Sequence, residues 1–248
     1  MSLPDLEGRC AVITGASRGI GASLAEHFAA RGLSLGLCSR GAPALAASQR
    51  VVSARLDVTD ERAFEAFADS VVARFGAIDL WINNAGVLEP IAPVRDVSAA
   101  DFREHIDINL TGLFLGTRTF VRHLRARGGQ GVLINVSSGA AWKPYEGWAA
   151  YCAGKAGVER FTEVVAAEEE ASGLRAYSIA PGVVDTAMQE LIRGCGPDRF
   201  PEADRFREMS ANQSFNTGEF VAHHFLAIAF DPQARPDAVA VALPDEKN

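Results

Sequence analysis

The chain has 248 residues, 48% of them hydrophobic and 22% charged, a composition typical of a globular protein long enough to bury one large core. Its 24 Lys and Arg against 31 Asp and Glu leave a net charge of −7, which removes the long-range attraction that nucleic acid or an anionic membrane needs, so neither is expected as a partner. No apolar run approaches the roughly 20 residues of a membrane span, and the start, Met1-Ser2-Leu3-Pro4-Asp5-Leu6-Glu7, is acidic where a secretory signal is basic, so a cytoplasmic location is expected.

In chain order, short runs rich in β-branched residues or leucine fall at 10–14, 33–38, 51–56, 79–82, 131–136 and 174–180, with a seventh at 238–243. Helix-length amphipathic segments lie between them at 20–30, 61–74, 101–125 and 149–171. This alternation predicts an α/β fold, a single Rossmann-type doubly wound parallel sheet of about seven strands with helices on both faces. No repeat or flexible linker divides the chain, so one domain over 1–248 is expected. Cys10, Cys38, Cys152 and Cys195 stand far apart with no C-x-x-C pair, which predicts free, mostly buried thiols and no metal site.

Ligands of such sheets bind beyond the carboxyl ends of the strands. The first predicted strand runs into Thr14-Gly15-Ala16-Ser17-Arg18-Gly19-Ile20-Gly21. Its glycines permit a tight turn and let backbone N–H groups approach a pyrophosphate at the positive end of the next helix. Dinucleotide folds that take NAD place a carboxylate at the end of the second strand, but here the chain reads Leu37-Cys38-Ser39-Arg40-Gly41. Arg18 and Arg40 are placed to meet a 2′-phosphate, so NADP(H) is the expected cofactor.

Tyr151 and Lys155 share one face of a predicted helix at a four-residue spacing. The chain has only three tyrosines and three lysines (143, 155 and 247), so this pairing by chance is expected only about 0.04 times. A neighbouring ammonium favours the phenolate and is expected to lower the tyrosine pKa toward a useful acid/base range. Ser138, at the end of the fifth strand, is placed to donate to a carbonyl oxygen while the phenol protonates it, and Ser137 is the competing candidate. Asn109 falls inside the long third helix, where beside Lys155 it is expected to hold a water that relays protons.

With these residues in place the chain resembles the short-chain dehydrogenase/reductase family over nearly its whole length. The match rests on the glycine turn, Asp57-Val58, Asn83-Asn84-Ala85-Gly86, Asn109, Ser138, Tyr151-Cys152-Ala153-Gly154-Lys155 and Pro181-Gly182-Val183-Val184-Asp185-Thr186. The resemblance implies Tyr151 as general acid/base, Lys155 on the nicotinamide ribose, Ser138 on the carbonyl and Asn109 in the relay. It also implies Asp57 on adenine, Asn84 on the adjoining ribose, and the loop from Pro181 to Thr186 on the carboxamide. The stretch Asp185-Thr186-Ala187-Met188-Gln189 and its continuation to Phe215 is similar to the sepiapterin reductases and related benzil reductases. No acid lies between Asp237 and Asp245, which argues against a pterin, and the chain end lacks the Asp-Gly segment that packs family tetramers.

Trp142, Tyr145, Trp148 and Met188 are expected to wall a substrate pocket, with residues 186–215 as its lid. Together these readings imply an NADPH-dependent carbonyl reductase for bulky, aromatic ketones or 1,2-dicarbonyls. The alternatives are the same site running as an alcohol dehydrogenase, a pterin reductase, or a dinucleotide-binding sensor without turnover. The helices at 101–125 and 149–171 carry apolar residues beyond one core stripe, which predicts a homodimer.

Overall fold

A computed structural model describes residues 6–247; Asn248 and most of the acidic N-terminal segment, Met1 to Asp5, lie outside it. Seven parallel strands form one sheet in the order β3-β2-β1-β4-β5-β6-β7. They are β1 (Cys10–Thr14), β2 (Ser34–Ser39), β3 (Val51–Arg55), β4 (Leu80–Asn83), β5 (Gly131–Val136), β6 (Leu174–Ala180) and β7 (Ala240–Ala242). The helices are α1 (Gly19–Ala30), α2 (Glu61–Phe75), α3 (Ala99–Ile106), α4 (Gly112–Arg127), α5 (Ala149–Glu169), α6 (Ala187–Arg193), α7 (Ala203–Ala211) and α8 (Gly218–Phe230). The doubly wound α/β fold expected from the sequence is the fold found.

Side chains alternate across each central strand because the pleat has a period of two. Ala11, Ile13, Leu80 and Ile82 pack under α1 and α8 with Leu24, Phe28, Val221 and Phe225. Val12, Trp81 and Leu133 face the other way, onto Phe64 and Val71 of α2, Leu115 and Phe120 of α4 and Val165 of α5. Both faces are therefore covered, which is why the strands read as continuous apolar runs.

A buried polar ladder crosses the middle of this core. Trp81 Nε1 donates to Asn83 Oδ1 at 2.8 Å, and Asn83 Nδ2 donates to Asn135 Oδ1 (2.9 Å) and Thr117 Oγ1 (3.0 Å). Asn135 Nδ2 continues the chain to Thr162 Oγ1 at 2.9 Å. Such a network is stable only when its members are paired. It needs α4 close to the sheet, and Gly116 provides that approach: a Cβ there would sit 2.2 Å from Asn83 Oδ1.

Two elements depart from the expectation. The helix predicted over 101–125 is α3 and α4 joined by a π-helical turn at Asp107–Thr111, an insertion that helical periodicity cannot reveal. The sequence reading also omits α8, and its lid segment at 186–215 contains the helices α6 and α7. Cys10, Cys38 and Cys195 are buried and Cys152 is partly so, all as free thiols.

Gly116→Ala is expected to destabilise the fold by about 1–3 kcal/mol, the usual cost of overpacking a core. Chemical denaturation of the variant and the parent checks this, and an unchanged midpoint would contradict the tight approach of α4.

Candidate active site

The glycine turn sits where the strand order reverses, between β1 and β4. The Thr14 hydroxyl accepts the backbone N–H groups of Asn84 and Ala85 at 3.0 Å each. Asn84 Nδ2 in return donates to the carbonyls of Thr14 (2.9 Å) and Gly15 (3.3 Å). A Cβ on Gly21 would lie 2.4 Å from Gly15 O, and one on Gly15 2.8 Å from Ala85 Cα, so only glycine lets these backbones meet. Arg18 precedes α1 without a side-chain cap, and no acidic residue stands in the first turn of that helix. Its free N–H groups and positive end suit an anion.

A cavity of about 1120 Å³ opens over this turn, large for a single small ligand. Every site residue singled out from the sequence lines it except Gly21 and Asn109. Gly15, Ser17, Arg18, Gly19 and Ile20 come from the turn, Arg40 from the end of β2, and Asp57 and Val58 from just beyond β3. Asn84, Ala85 and Gly86 follow β4, Ser138 follows β5, and Pro181, Gly182, Val184 and Thr186 follow β6. The Cβ-free cradle, the uncapped helix end and a cavity of this size, lined from the glycine turn to α5, fit a dinucleotide.

Tyr151 and Lys155 project from α5 into the same cavity and are almost fully buried. Lys155 Nζ lies 5.6 Å from the Tyr151 ring centroid and donates to Val136 O at 2.7 Å. The Ser138 hydroxyl accepts from Ala140 N–H at 3.2 Å and lies close enough to the Tyr151 phenol to pull its pKa downward. The Ser137 hydroxyl is buried with no partner among the described residues. Of the two candidate serines, Ser138 is the one that acts on the phenol's pKa.

The expected lowering of the tyrosine pKa is not found in the unliganded protein. Burial pushes Tyr151 up to about 12, against a smaller downward pull from the Ser138 hydroxyl. Burial also brings Lys155 down to about 8. Desolvation penalises both charged forms, and it outweighs the ion–phenol attraction read from the spacing.

Asn109 also differs from expectation. Its Oδ1 accepts Val87 N–H at 2.8 Å, and its Nδ2 donates to Val87 O at 2.8 Å and meets His105 Nε2 at 2.6 Å. The side chain thus clamps the segment after β4 rather than standing free beside Lys155. The π-helical turn around it spaces backbone carbonyls differently from an α-helix, a feature common at functional sites.

The aromatic residues are brought together, but not all as open walls. Trp148 is 4% exposed and stacks on Phe200 at 4.4 Å and 2°, so protein already covers a face of its ring. Tyr145 leans on Trp148 at 4.9 Å, Met188 lies alongside, and Trp142 stands 48% exposed. The excursion containing α6 and α7 is pinned by Arg199 Nε donating to Ile91 O at 3.1 Å and by Lys143 bonded to Glu202 at 3.1 Å. Phe206, read from the sequence as part of the apolar lid, lines the cavity, and sequence reasoning missed Leu88, Ile91, Gln189 and Leu243, which line it too. Leu88 and Ile91 come two and five residues after the Asn83 to Gly86 motif, and their position beyond a strand end was the available signal.

A family model described as short chain dehydrogenase matches residues 9–194. The benzil reductase ((S)-benzoin forming) of Bacillus subtilis is 32% identical over 224 residues, covering 88% of this chain and 91% of that protein. The cis-4-hydroxycyclohexanecarboxylate dehydrogenase of Sinomonas cyclohexanicum is 39% identical over 236 residues, covering 86% and 94%. Among solved structures, the KRED1-Pglu enzyme superposes with a TM-score of 0.85 at 32% identity, covering 95% of this chain and all of that one. Levodione reductase gives 0.84 at 27% identity, covering 97% of each. The chain belongs to the short-chain dehydrogenases, oxidoreductases that act on alcohol and carbonyl groups with a nicotinamide cofactor.

Proposed function

We propose that the protein is an NADPH-dependent carbonyl reductase for bulky ketones or 1,2-dicarbonyls, with Tyr151 as proton donor. The observation that carries this reading is the buried cluster of Ser138, Tyr151 and Lys155 lining one cavity with the glycine turn. When bound, the nicotinamide supplies a hydride. The chain supplies the remainder: Ser138 and Tyr151 hydrogen-bond the substrate oxygen, and Tyr151 then gives it a proton. Lys155 holds a positive charge beside the phenol, which offsets the negative charge left on Tyr151. A water on a backbone carbonyl of the π-helical turn at Asn109 would return the proton.

Arg18 and Arg40 are both exposed and line the same cavity, and no carboxylate stands at the end of β2, which supports NADP(H) over NAD(H). The partly buried Tyr145 and Met188, with Trp142 at 48% exposure, give a flat or bulky substrate apolar area, and α6 and α7 form the proposed lid over it within a single domain spanning the chain. β7 carries no acid, which supports non-pterin substrates. The similarity to a cyclohexanecarboxylate dehydrogenase supports a second reading, the oxidation of a cyclic alcohol by the same site.

The outer faces of α4 and α5 leave Phe114 39% and Val164 47% exposed, with Phe114 edge-on to Phe161 at 6.2 Å. This supports the homodimer. A cytoplasmic location agrees with the absence, among the described residues, of a helix long and apolar enough to cross a membrane.

NADPH oxidation is expected with a benzil-like diketone at a higher kcat/KM than with sepiapterin, an acetoacetyl thioester or pyruvate, and Tyr151→Phe should lower turnover by at least about 10²-fold. Superior turnover of pyruvate or the thioester would contradict the substrate class, and near-normal activity of Tyr151→Phe would contradict the proton donor. Arg40→Asp should erase or reverse a wild-type preference for NADPH over NADH; a wild type that favours NADH refutes the cofactor reading. Light scattering at micromolar concentration should give the mass of a dimer, and a monomer would remove the α4 and α5 interface.

A further inference from the structure

His105 is a buried titratable group for which the proposed chemistry has no use. It sits in the last turn of α3 at 1% exposure, one step before the π-helical turn. Its Nδ1 is 2.7 Å from the backbone carbonyl of Glu89, its Nε2 is 2.6 Å from Asn109 Nδ2, and its ring stands perpendicular to Tyr151 with centroids 6.1 Å apart. A single imidazole thus touches the segment after β4, the entrance of the π-helical turn and the phenol on α5.

The hydrogen-bond chemistry leaves one arrangement. A backbone carbonyl only accepts, so Nδ1 must carry the hydrogen it gives to Glu89 O. In the neutral ring Nε2 is then an acceptor, and Asn109 must turn an N–H toward it. The Val87 contacts fix the same orientation independently, since Val87 N–H needs Oδ1 and Val87 O needs Nδ2. Flipping the amide would set donor against donor at Val87. An imidazolium would likewise set Nε2–H against the amide hydrogens.

We propose that His105 is a positioning residue: as a neutral imidazole it locks the Asn109 amide and the 87–89 segment against α5, and so holds the π-helical turn and the proton path behind Tyr151 in register. This rests on the reading of Tyr151 and Lys155 as the reacting pair. Its surroundings favour the neutral form. Burial lowers its pKa first, and the Lys155 ammonium on α5 lowers it further against an upward pull from the Glu89 carbonyl. Tyr151 faces it as an uncharged ring, and Glu89 presents its backbone.

If His105 were removed, one Asn109 hydrogen would be left buried without an acceptor, and the amide would lose the contact that ties it to α3. The fault would appear mainly in proton delivery, because His105 itself does not line the cavity and the glycine turn is held to Asn84 and Ala85 by bonds of its own. His105→Phe keeps an aromatic ring beside Tyr151 but removes both hydrogen bonds. His105→Gln restores one donor and one acceptor on a flexible stem.

The test measures kcat per titrated NADPH site. His105→Phe should lose at least about 10-fold in kcat with KM for NADPH changed less than about twofold, and His105→Gln should recover to within about threefold of wild type. An unchanged kcat in His105→Phe, or a His105→Gln no better than His105→Phe, overturns the proposal. Imidazole ¹⁵N spectra of the wild type, assigned by the signal missing in His105→Gln, give a readout that needs neither turnover nor the Phe variant. They should show the neutral Nδ1–H tautomer at pH 7, titrating below the ordinary value of about 6.5. The Nε2–H tautomer or an imidazolium at pH 7 also overturns it. A wild type that reduces no carbonyl yet shows the Nδ1–H tautomer would retire the reductase reading and the proton path with it, and would leave the clamp standing.

Discussion

The structure is organised around an ammonium held out of water. Lys155 is nearly fully buried and donates to the carbonyl of Val136 at 2.7 Å, the last residue of β5. Burying a charge is expensive unless polar groups meet it. That cost is seen in the fall of its pKa to about 8. The arrangement requires the end of β5 and the middle of α5 to stay in register, and the packing around them serves that end. Asn135, one residue before Val136, is bonded to Thr162 of α5 at 2.9 Å, which ties strand and helix together beneath the lysine.

Close backbone approach is the second constraint. The turn after β1 meets the turn after β4 through Gly15, Gly21 and Asn84, and α4 reaches the sheet at Gly116. These contacts place the switch point of the sheet and the phenol on α5 around one cavity. The excursion through α6 and α7 lines the cavity and belongs to an apolar cluster in which Trp148, Phe200 and Phe206 pack on one another. Tyr151 belongs to that cluster, so its phenol is desolvated by the same side chains that shape that end of the cavity.

Much of this was legible in the sequence because fully buried parallel strands leave an unambiguous mark. β5 and β6 occupy the residues that their apolar runs predict, and the motifs after β1, β4, β5 and β6 all reach the cavity. The readings that failed did so for physical reasons. The π-helical turn at Asp107–Thr111 adds a residue without disturbing the apolar pattern on either side. α8 is apolar around most of its circumference and offers little polar face to mark it. Trp148 is not an open wall because Phe200, 52 residues later, stacks on it, a contact that composition does not reveal. The Tyr151 pKa departs from the expectation because spacing reports the neighbouring charge and not the loss of solvent. His105 reads as an ordinary polar helix position, since its partners come from a loop 16 residues earlier and from the turn that follows it.

The central claim is that a protonated Tyr151 beside a charged Lys155 is the competent form for reduction. Burial holds Tyr151 protonated throughout the neutral range, since its pKa lies at about 12, while a pKa of about 8 means that Lys155 loses its charge as pH rises through that value. The most direct measurement is the pH dependence of kcat/KM for NADPH in the reductive direction, which reports the free enzyme. The account predicts a plateau on the acid side of neutrality and a fall with a midpoint near pH 8. A rate that instead rises through that range would contradict it.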